Sequence, residues 1–433
     1  MKITFIGTGY VGLVSGVMLS HLGHTVTCLD VDKNKIKNLQ NAVSPIFEPG
    51  LDEYIKKCIY NNQLNFVDSY NSELGSAECI FITVGTPSMP SGGADLTVVF
   101  KSIEQVCEYI NPNTVIVVKS TVPPGTCLEV QKFLKEKGLA NLVVSNPEFL
   151  REGSAILDFL EPDRIVIGAT DGNAFTIMQE VYQPLTKNNV PIVETDLKTS
   201  ELIKYAANAF LANKIAFINE MADLCELVGA DIMELAKGIG LDKRIGSYFL
   251  NPGPGFGGSC FPKDILALQQ LYQQYHGKSD ILNAVITANN SRSGAMIDKI
   301  KNAVGGSVKG KKLAILGLTY KAGTDDLRDS PAIPLIDTLQ TMEADVIAYD
   351  PQGIVNAHKY FVKLMCATSI QEALKDADAL VIVTEWPEFK TIDLQQAKNN
   401  MRAAIIIDLR NILNAEIVTD AGFYYYCVGK TSE

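Results

Sequence analysis

The run NPGPGFGGSCFPKD, residues 251–264, puts a single thiol, Cys260, inside a sharply turning segment with Lys263 and Asp264 directly after it. A thiolate adds to an aldehyde to give a thiohemiacetal; loss of hydride turns this into a thioester, and water releases an acid. Gly257 and Gly258 permit the backbone positions that expose such a thiol. Lys263 can favour its thiolate, and Asp264 can act as general base for the hydrolysis. The competing reading is a small core residue, which suits Cys28 and Cys79 inside apolar runs better than Cys260 beside a Gly-Gly pair.

Two other stretches carry groups that such chemistry could use. Lys204 and Asn208 lie four residues apart in a helix-patterned segment and so share one face. An ammonium and an amide donor together can clamp the oxyanion of an alkoxide or a tetrahedral intermediate, whereas a solvated polar stripe would look the same by spacing alone. NPEFLREGSA (146–155) follows a strand-like run and spaces Glu148 and Glu152 by four residues. Either carboxylate could work through a water or hold a cofactor, and the hydroxyl of Thr121 in STVPPGT could share that water.

An oxidation needs an acceptor, and the N-terminus supplies a site for one. Gly7, Gly9 and Gly12 form GxGxxG directly after the strand-like KITFIG. Their tasks are a tight turn, close approach of backbone to a pyrophosphate, and close packing of helix on strand. The helix that follows offers N–H groups and a partial positive charge to phosphates. Asp30 ends the next strand, where a carboxylate accepts hydrogen bonds from a ribose diol and repels a 2′-phosphate. NAD is therefore expected over NADP.

The elements that must position these groups follow from periodicity. TVTCLD (25–30), CIFITV (79–84), TVIVVKS (114–120) and LVVSNP (142–147) read as further strands spaced by helical patterns, which implies a parallel doubly wound sheet. From Thr195 the pattern turns to a long helix without internal Gly or Pro, ending at Gly229, with apolar residues on more than one face. Both faces are thus expected to be covered, in part by a second chain. From Lys311, KKLAILGLTYK, ADVIAYDP and ADALVIVTEWP repeat the layout of the first strands. The expected fold is α/β, two Rossmann-like doubly wound domains joined by a long central helix and a helical dimerisation region. The boundaries read as 1–196, 197–300 and 301–433. The second turn, GLTYKAGTDDLRDSP, lacks the glycine fingerprint and carries Lys321 and Arg328 instead. That suits a different phosphate-bearing ligand, a lid, or plain solvated charges.

The bulk numbers bound the partners. The net charge of −11 argues against nucleic acid, though a local basic cluster can still meet an anionic small molecule. Nine cysteines without CxxC pairs or metal-like spacing argue against a disulfide scaffold or a metal site and fit a reducing cytoplasm. No apolar run is long enough for a membrane span.

GTGYVG, STVPPGT, NPEFLREGSA, the Lys204/Asn208 helix, NPGPGFGGSCFPKD and GLTYKAGTDDLRDSP, in that order along nearly the whole chain, resemble the UDP-glucose/GDP-mannose dehydrogenase family. Within it, EFLREGSA with Gly153 resembles the bacterial UDP-glucose 6-dehydrogenase branch more than the branches acting on GDP-mannose or UDP-N-acetyl-mannosamine. The resemblance implies two NAD-dependent oxidations of the glucose C6 alcohol, through aldehyde and thioester, to UDP-glucuronate. Cys260 would be the nucleophile, Lys204 and Asn208 the oxyanion donors, and Asp264, Thr121 and Glu148 would manage water and protons. It further implies that Val11, Asp30, Lys35, Thr86, Thr121, Glu152, Lys263 and Arg328 touch NAD, beside the three glycines. Glu148, Phe149, Leu150, Arg151, Lys204, Asn208, Phe249, Leu250, Asn251, Pro252, Gly253, Gly257 and Lys321 would line the sugar-nucleotide site. Arg244 would reach across a dimer toward the partner's substrate.

Two readings compete. An ordinary two-electron dehydrogenase shares the N-terminal domain and a long helix but needs neither the thiol nor a second Rossmann-like domain. A non-catalytic nucleotide-sensing protein with a decayed site should show damaged motifs, and these are intact.

Overall fold

The computed structural model describes residues 1–187 and 189–431, and divides into two compact units. The first comprises Met1–Ala207 with Leu266–Gly277, the second Asn208–Ile265 with Lys278–Glu433.

In the first unit, strands β1 (Lys2–Ile6), β2 (Thr25–Leu29), β3 (Leu64–Val67), β4 (Cys79–Ile82), β5 (Val115–Val118), β6 (Val143–Ser145), β7 (Ile165–Gly168) and β8 (Ile192–Thr195) form one sheet. Its order is β3-β2-β1-β4-β5-β6-β7-β8, and β7 runs antiparallel to β6. The first six strands thus have the doubly wound 3-2-1-4-5-6 order. β4, β5 and β7 are buried at every position, because helices cover both faces of a parallel sheet. Side chains alternate between two cores: Phe5, Cys79 and Phe81 point into one, Ile6, Ile80 and Ile82 into the other. Phe5 and Phe81 stack with centroids 4.7 Å apart. Cys28 and Cys79 are core residues, as their apolar surroundings foretold.

The second unit holds β9 (Lys312–Leu316), β10 (Asp345–Tyr349), β11 (Met365–Cys366), β12 (Ala379–Ile382), β13 (Ile405–Asp408) and β14 (Tyr424–Cys427). All pairings are parallel, in the order β11-β10-β9-β12-β13-β14. This is the same doubly wound order, so the internal echo in the sequence is an echo in topology. β3, β7, β8, β11 and β13 escaped the sequence reading. They are short, and β8 and β11 carry exposed positions that blur the apolar run.

The expected long helix runs from Leu197 to Val228. Asp196 caps it, accepting from Thr199 N at 3.0 Å and Thr199 Oγ1 at 2.6 Å. Gly229 follows its end at φ +75°, a left-handed exit that a side chain would resist. Phe210, Phe217, Leu224, Leu227 and Val228 on this helix are exposed.

Candidate active site

The turn after β1 is built as the glycine spacing demands. Gly7 has φ +98°. A Cβ on Gly12 would lie 2.0 Å from Gly7 O and 2.4 Å from Thr83 Oγ1, so the helix Tyr10–His21 approaches the strands too closely for any side chain there. At Gly9 a Cβ would meet open space, which is the side left for a pyrophosphate. Val11 is half-buried in the first turn of that helix. Asp30, just beyond β2, accepts from Thr8 N at 2.9 Å, Thr8 Oγ1 at 2.8 Å, Asp32 N at 3.1 Å and Lys35 Nζ at 2.8 Å. Burial would raise its pKa, but these donors outweigh it and hold the carboxyl below its ordinary range. Asp30 is thus a pre-organised anion beside the glycine turn, with Lys35 as its counterion. The loops after β4 and β5 are joined through Thr86 Oγ1, which donates to Thr121 O at 2.9 Å.

Beyond β6 the chain turns through Glu148, which is buried and pairs with Lys204 Nζ at 2.9 Å, both side chains about 5% exposed. The long helix is pinned here by its own first turns. Ser200 Oγ bonds to Ser145 Oγ at 2.9 Å, and a Cβ on Gly168 would strike Ser200 Cβ at 2.4 Å. Glu201 accepts from Gly125 N at 2.5 Å and Cys127 N at 2.7 Å, satisfying the start of the helix Thr126–Glu136. The STVPPGT loop that carries Thr121 is therefore tied to the helix that carries Lys204. Phe149 is covered by the Arg164 guanidinium, 3.5 Å from its centroid, with Lys204 Nζ at 5.3 Å. Glu152 is buried beside Gly153, whose N–H donates to Tyr10 OH at 2.6 Å and Glu48 Oε2 at 2.7 Å. Leu150 is half-buried, and Arg151 projects to the surface, held by Asp158 at 2.5 Å.

In the second unit, Cys260 is half-buried at the start of the helix Phe261–Gln274, and its carbonyl accepts from Asp264 N at 2.9 Å. A negative charge on its sulfur would sit at the positive end of that helix. Asp264 is buried, accepting from Asn208 Nδ2 at 2.6 Å and from Lys263 Nζ. The glycine pair before the thiol has a sharper role than exposure alone. A Cβ on Gly257 would lie 2.0 Å from Asp329 O, and one on Gly258 2.7 Å from the Tyr320 ring. Gly258 N donates to Arg328 O at 2.9 Å. The loop is therefore bolted against the 318–330 segment by backbone contact that only glycine allows. Three side chains also hold it: Asn219 accepts from Gly253 N at 2.8 Å, Asn289 from Phe256 N at 2.9 Å, and Arg292 Nε donates to Gly253 O at 2.9 Å. Phe249, at φ +63°, is a non-glycine residue in the left-handed region, held against Phe261 with centroids 6.1 Å apart. Leu250, Pro252 and Gly253 are buried, and Asn251 is exposed.

The second sheet carries the counterpart of Asp30, and it is already full. Asp350 takes bonds from Leu318 N, Thr319 N and Thr319 Oγ1 at 2.7, 3.0 and 3.0 Å on one oxygen, and from Gln352 N and Gly353 N on the other. Trp386 Nε1 adds a donor at 3.1 Å. No oxygen is left for a ribose, which agrees with the missing glycine fingerprint.

The comparisons with known proteins meet this geometry directly. Family profiles for the UDP-glucose/GDP-mannose dehydrogenases match residues 1–186 (NAD binding domain), 198–291 (central domain) and 314–415 (UDP binding domain). The chain belongs to the UDP-glucose/GDP-mannose dehydrogenase family. It is similar to a UDP-glucose 6-dehydrogenase of Rickettsia felis, 54% identical over 431 residues, covering 99% of this chain and 96% of that one. Among solved structures it is similar to a UDP-glucose dehydrogenase of the archaeon Pyrobaculum islandicum, with TM-score 0.91, 34% identity and coverage of 99% and 98%. It is also similar to a UDP-D-ManNAc dehydrogenase of Pyrococcus horikoshii, with TM-score 0.87, 26% identity and full coverage of both chains.

This dehydrogenase is an NAD-dependent oxidoreductase whose first unit contains the family's NAD binding domain. Four of the sequence-chosen cations lie in the second unit: Lys263, paired with Asp264, and Lys321, Arg328 and Arg244. Lys321 is half-buried, with its ammonium 5.6 Å from the Tyr320 centroid. Arg328 is exposed and bonds Asp326 at 2.7 Å, and Arg244 is exposed and bonds Asp242 at 2.6 Å. The sequence reading missed Glu201, Asn219, Asn289 and Arg292, which hold these loops by hydrogen bonds, and the buried Lys119 just past β5. Lys119 alone carried a signal, a lysine closing the apolar run VIVV at the carboxyl edge of a parallel sheet. Among the described residues no cluster of His, Cys, Asp and Glu could hold a metal, and no helix is long and apolar enough to cross a membrane.

Proposed function

We propose that the chain oxidises UDP-glucose at C6 twice, through aldehyde and thioester, to UDP-glucuronate in the cytoplasm, and works as a homodimer built on the long helix. The observation that carries the reading is Cys260 at a helix start with Asp264 held beside it by Asn208, in a chain that also bears the pre-organised Gly7–Gly12 and Asp30 turn. NAD supplies the hydride acceptor for both oxidations. The turn, with Val11, Thr86, Thr121, Glu152, Lys263 and Arg328, is assigned to holding it. In the first oxidation Thr121 and Glu148 direct a water that takes the alcohol proton, while Lys204 and Asn208 steady the developing alkoxide. Cys260 then adds to the aldehyde carbon, the same two donors hold the oxyanion, and the second oxidation leaves a thioester. Asp264 activates the water that hydrolyses it. Glu148 to Arg151, Phe249 to Gly253, Gly257, Lys321 and, from a second copy, Arg244 are assigned to UDP-glucose. Support for glucose over the mannose epimers comes from the EFLREGSA stretch and from the 54% identical Rickettsia felis enzyme.

The test is stoichiometry across a panel of UDP- and GDP-sugars. The expected result is two NADH for each UDP-glucose consumed, and loss of acid formation in Cys260→Ala. One NADH per product, or undiminished activity in Cys260→Ala, would favour a two-electron dehydrogenase. A greater rate with GDP-mannose or UDP-N-acetyl-mannosamine would reassign the substrate.

A further inference from the structure

Behind the Glu148–Lys204 pair the first unit buries a second ammonium that the reaction scheme does not use. Lys119, just past β5, is 5% exposed. Its Nζ donates to Asn146 Oδ1 at 3.1 Å and reaches Tyr182 OH at 3.4 Å, while Tyr182 OH donates to the same Asn146 oxygen at 2.5 Å. Asn146 is itself fixed by donating to Val166 O at 2.8 Å. These partners are all neutral. A buried ammonium without a carboxylate in contact is costly, and a fold keeps one where its charge has a use.

Two carboxylates border the same cavity as this charge, Glu148 and Asp158, and Asp158 is already held by Arg151 at 2.5 Å. Lys119, Asn146, Glu148, Asp158, Arg164 and Tyr182 border one cavity of about 40 Å³, enough for a water. The charged and titratable groups facing Lys119 are Glu148 from the segment after β6, Lys204 from the long helix, Tyr182 from the helix Gly172–Thr186, and Arg164 and Asp158 across the cavity. Burial lowers Lys119 to about 8, with Lys204 pushing the same way and Glu148 opposing. Glu148, which pairs with Lys204, thus has a second ammonium, Lys119, on the cavity that it borders.

Lys204 has two claims on it in the proposed scheme, the ion pair with Glu148 and the oxyanion. A buried carboxylate with a single countercharge would retain it, because parting the pair leaves a charge uncompensated. We propose that Lys119 is a positioning residue for the reaction: its buried ammonium offers Glu148 a second countercharge, so that Lys204 is released to the oxyanion when one forms. It touches neither substrate nor cofactor and acts through Glu148. This rests on the roles proposed above for Lys204 and Glu148.

The sign is fixed by the direction of the shift. Below about pH 8 Lys119 is charged and the arrangement is complete; as pH rises through that value the charge is lost and kcat falls. The experiment follows kcat and KM for UDP-glucose from pH 6 to 10 in the wild type, Lys119→Arg and Lys119→Met, with folding checked by circular dichroism and NAD affinity. Expected are a descending limb in the wild-type kcat near pH 8, its displacement upward by at least about one unit in Lys119→Arg, and at pH 7 a drop of about tenfold in Lys119→Met with KM changed less than about threefold. A wild-type profile with no fall between pH 7 and 9 overturns the proposal without any variant. So does a folded Lys119→Met that keeps kcat within about twofold at pH 7, or a folded Lys119→Arg whose limb stays in place. Failure of the wild type to yield two NADH per UDP-glucose would instead sink the functional reading, whatever Lys119 does.

Discussion

At the residue scale, the site is a set of charges held ready before any ligand arrives. Asp30 accepts four hydrogen bonds and stands beside a glycine with open space above it. Its ion pair with Lys35 bears on cofactor choice. In Asp30→Ala the repulsion of a 2′-phosphate disappears and Lys35 gains nothing else to hold. The expected outcome is a KM for NAD raised about tenfold and measurable turnover with NADP, the loss of one charge-assisted hydrogen bond being about 1.5–3 kcal/mol. Steady-state kinetics with both cofactors decides it; an unchanged KM for NAD contradicts the assignment. Cys260 shows the same economy of position, because its place at a helix start does for a sulfur anion what Lys35 does for Asp30.

At the scale of elements, the thiol loop is a rigid bracket rather than a flexible flap. A Cβ on Gly257 would collide with Asp329 O, and Asn219, Asn289 and Arg292 hold the loop by hydrogen bonds. Gly257→Ala should therefore push the bracket off its seat, with a loss of about 1–3 kcal/mol in stability and at least about tenfold in kcat, read by thermal melts and NADH formation. Gly294→Ala is the control, since a Cβ there meets nothing within 4 Å, and alanine in a helix interior is neutral or better. Equal effects of the two substitutions would show that the close approach at Gly257 has no functional weight. Glu201 makes the corresponding bracket in the first unit, joining the loop of Thr121 to the helix of Lys204 through two N–H groups. Burial raises its pKa, and the two N–H donors are what keep a carboxylate acceptable there.

At the scale of the whole molecule, the long helix leaves Phe210, Phe217 and Leu224 bare at seven-residue intervals, with Leu227 and Val228 alongside. A stripe of that spacing lies along one side of a helix and suits packing against a second copy of itself. Light scattering should give twice the 47.1 kDa chain mass. Phe210→Glu with Phe217→Glu should shift the protein toward monomer while leaving the melting of the isolated chain little changed. A wild type that runs as a monomer at micromolar concentration would remove the proposed dimer.

The sequence by itself determined that both units are doubly wound α/β folds, because parallel βαβ units announce themselves through local periodicity and turn chemistry. Gly7, Gly9, Gly12, Asp30 and the 32 residues of the long helix are legible for the same reason: each is marked by residue type and spacing within a short stretch of chain. The short, partly exposed β3, β8 and β11 were not, since two to four residues hold too little pattern. Only the tertiary structure decided that Asp350 is saturated, that Glu148 spends its charge on Lys204, and that Gly257 faces the carbonyl of Asp329. It alone placed Lys119 among neutral partners next to a buried carboxylate. The long-range contacts among these join residues 27 to 72 positions apart in the chain, and the electrostatics of a buried charge depend on which groups folding brings within a few ångströms, a quantity that no local spacing encodes.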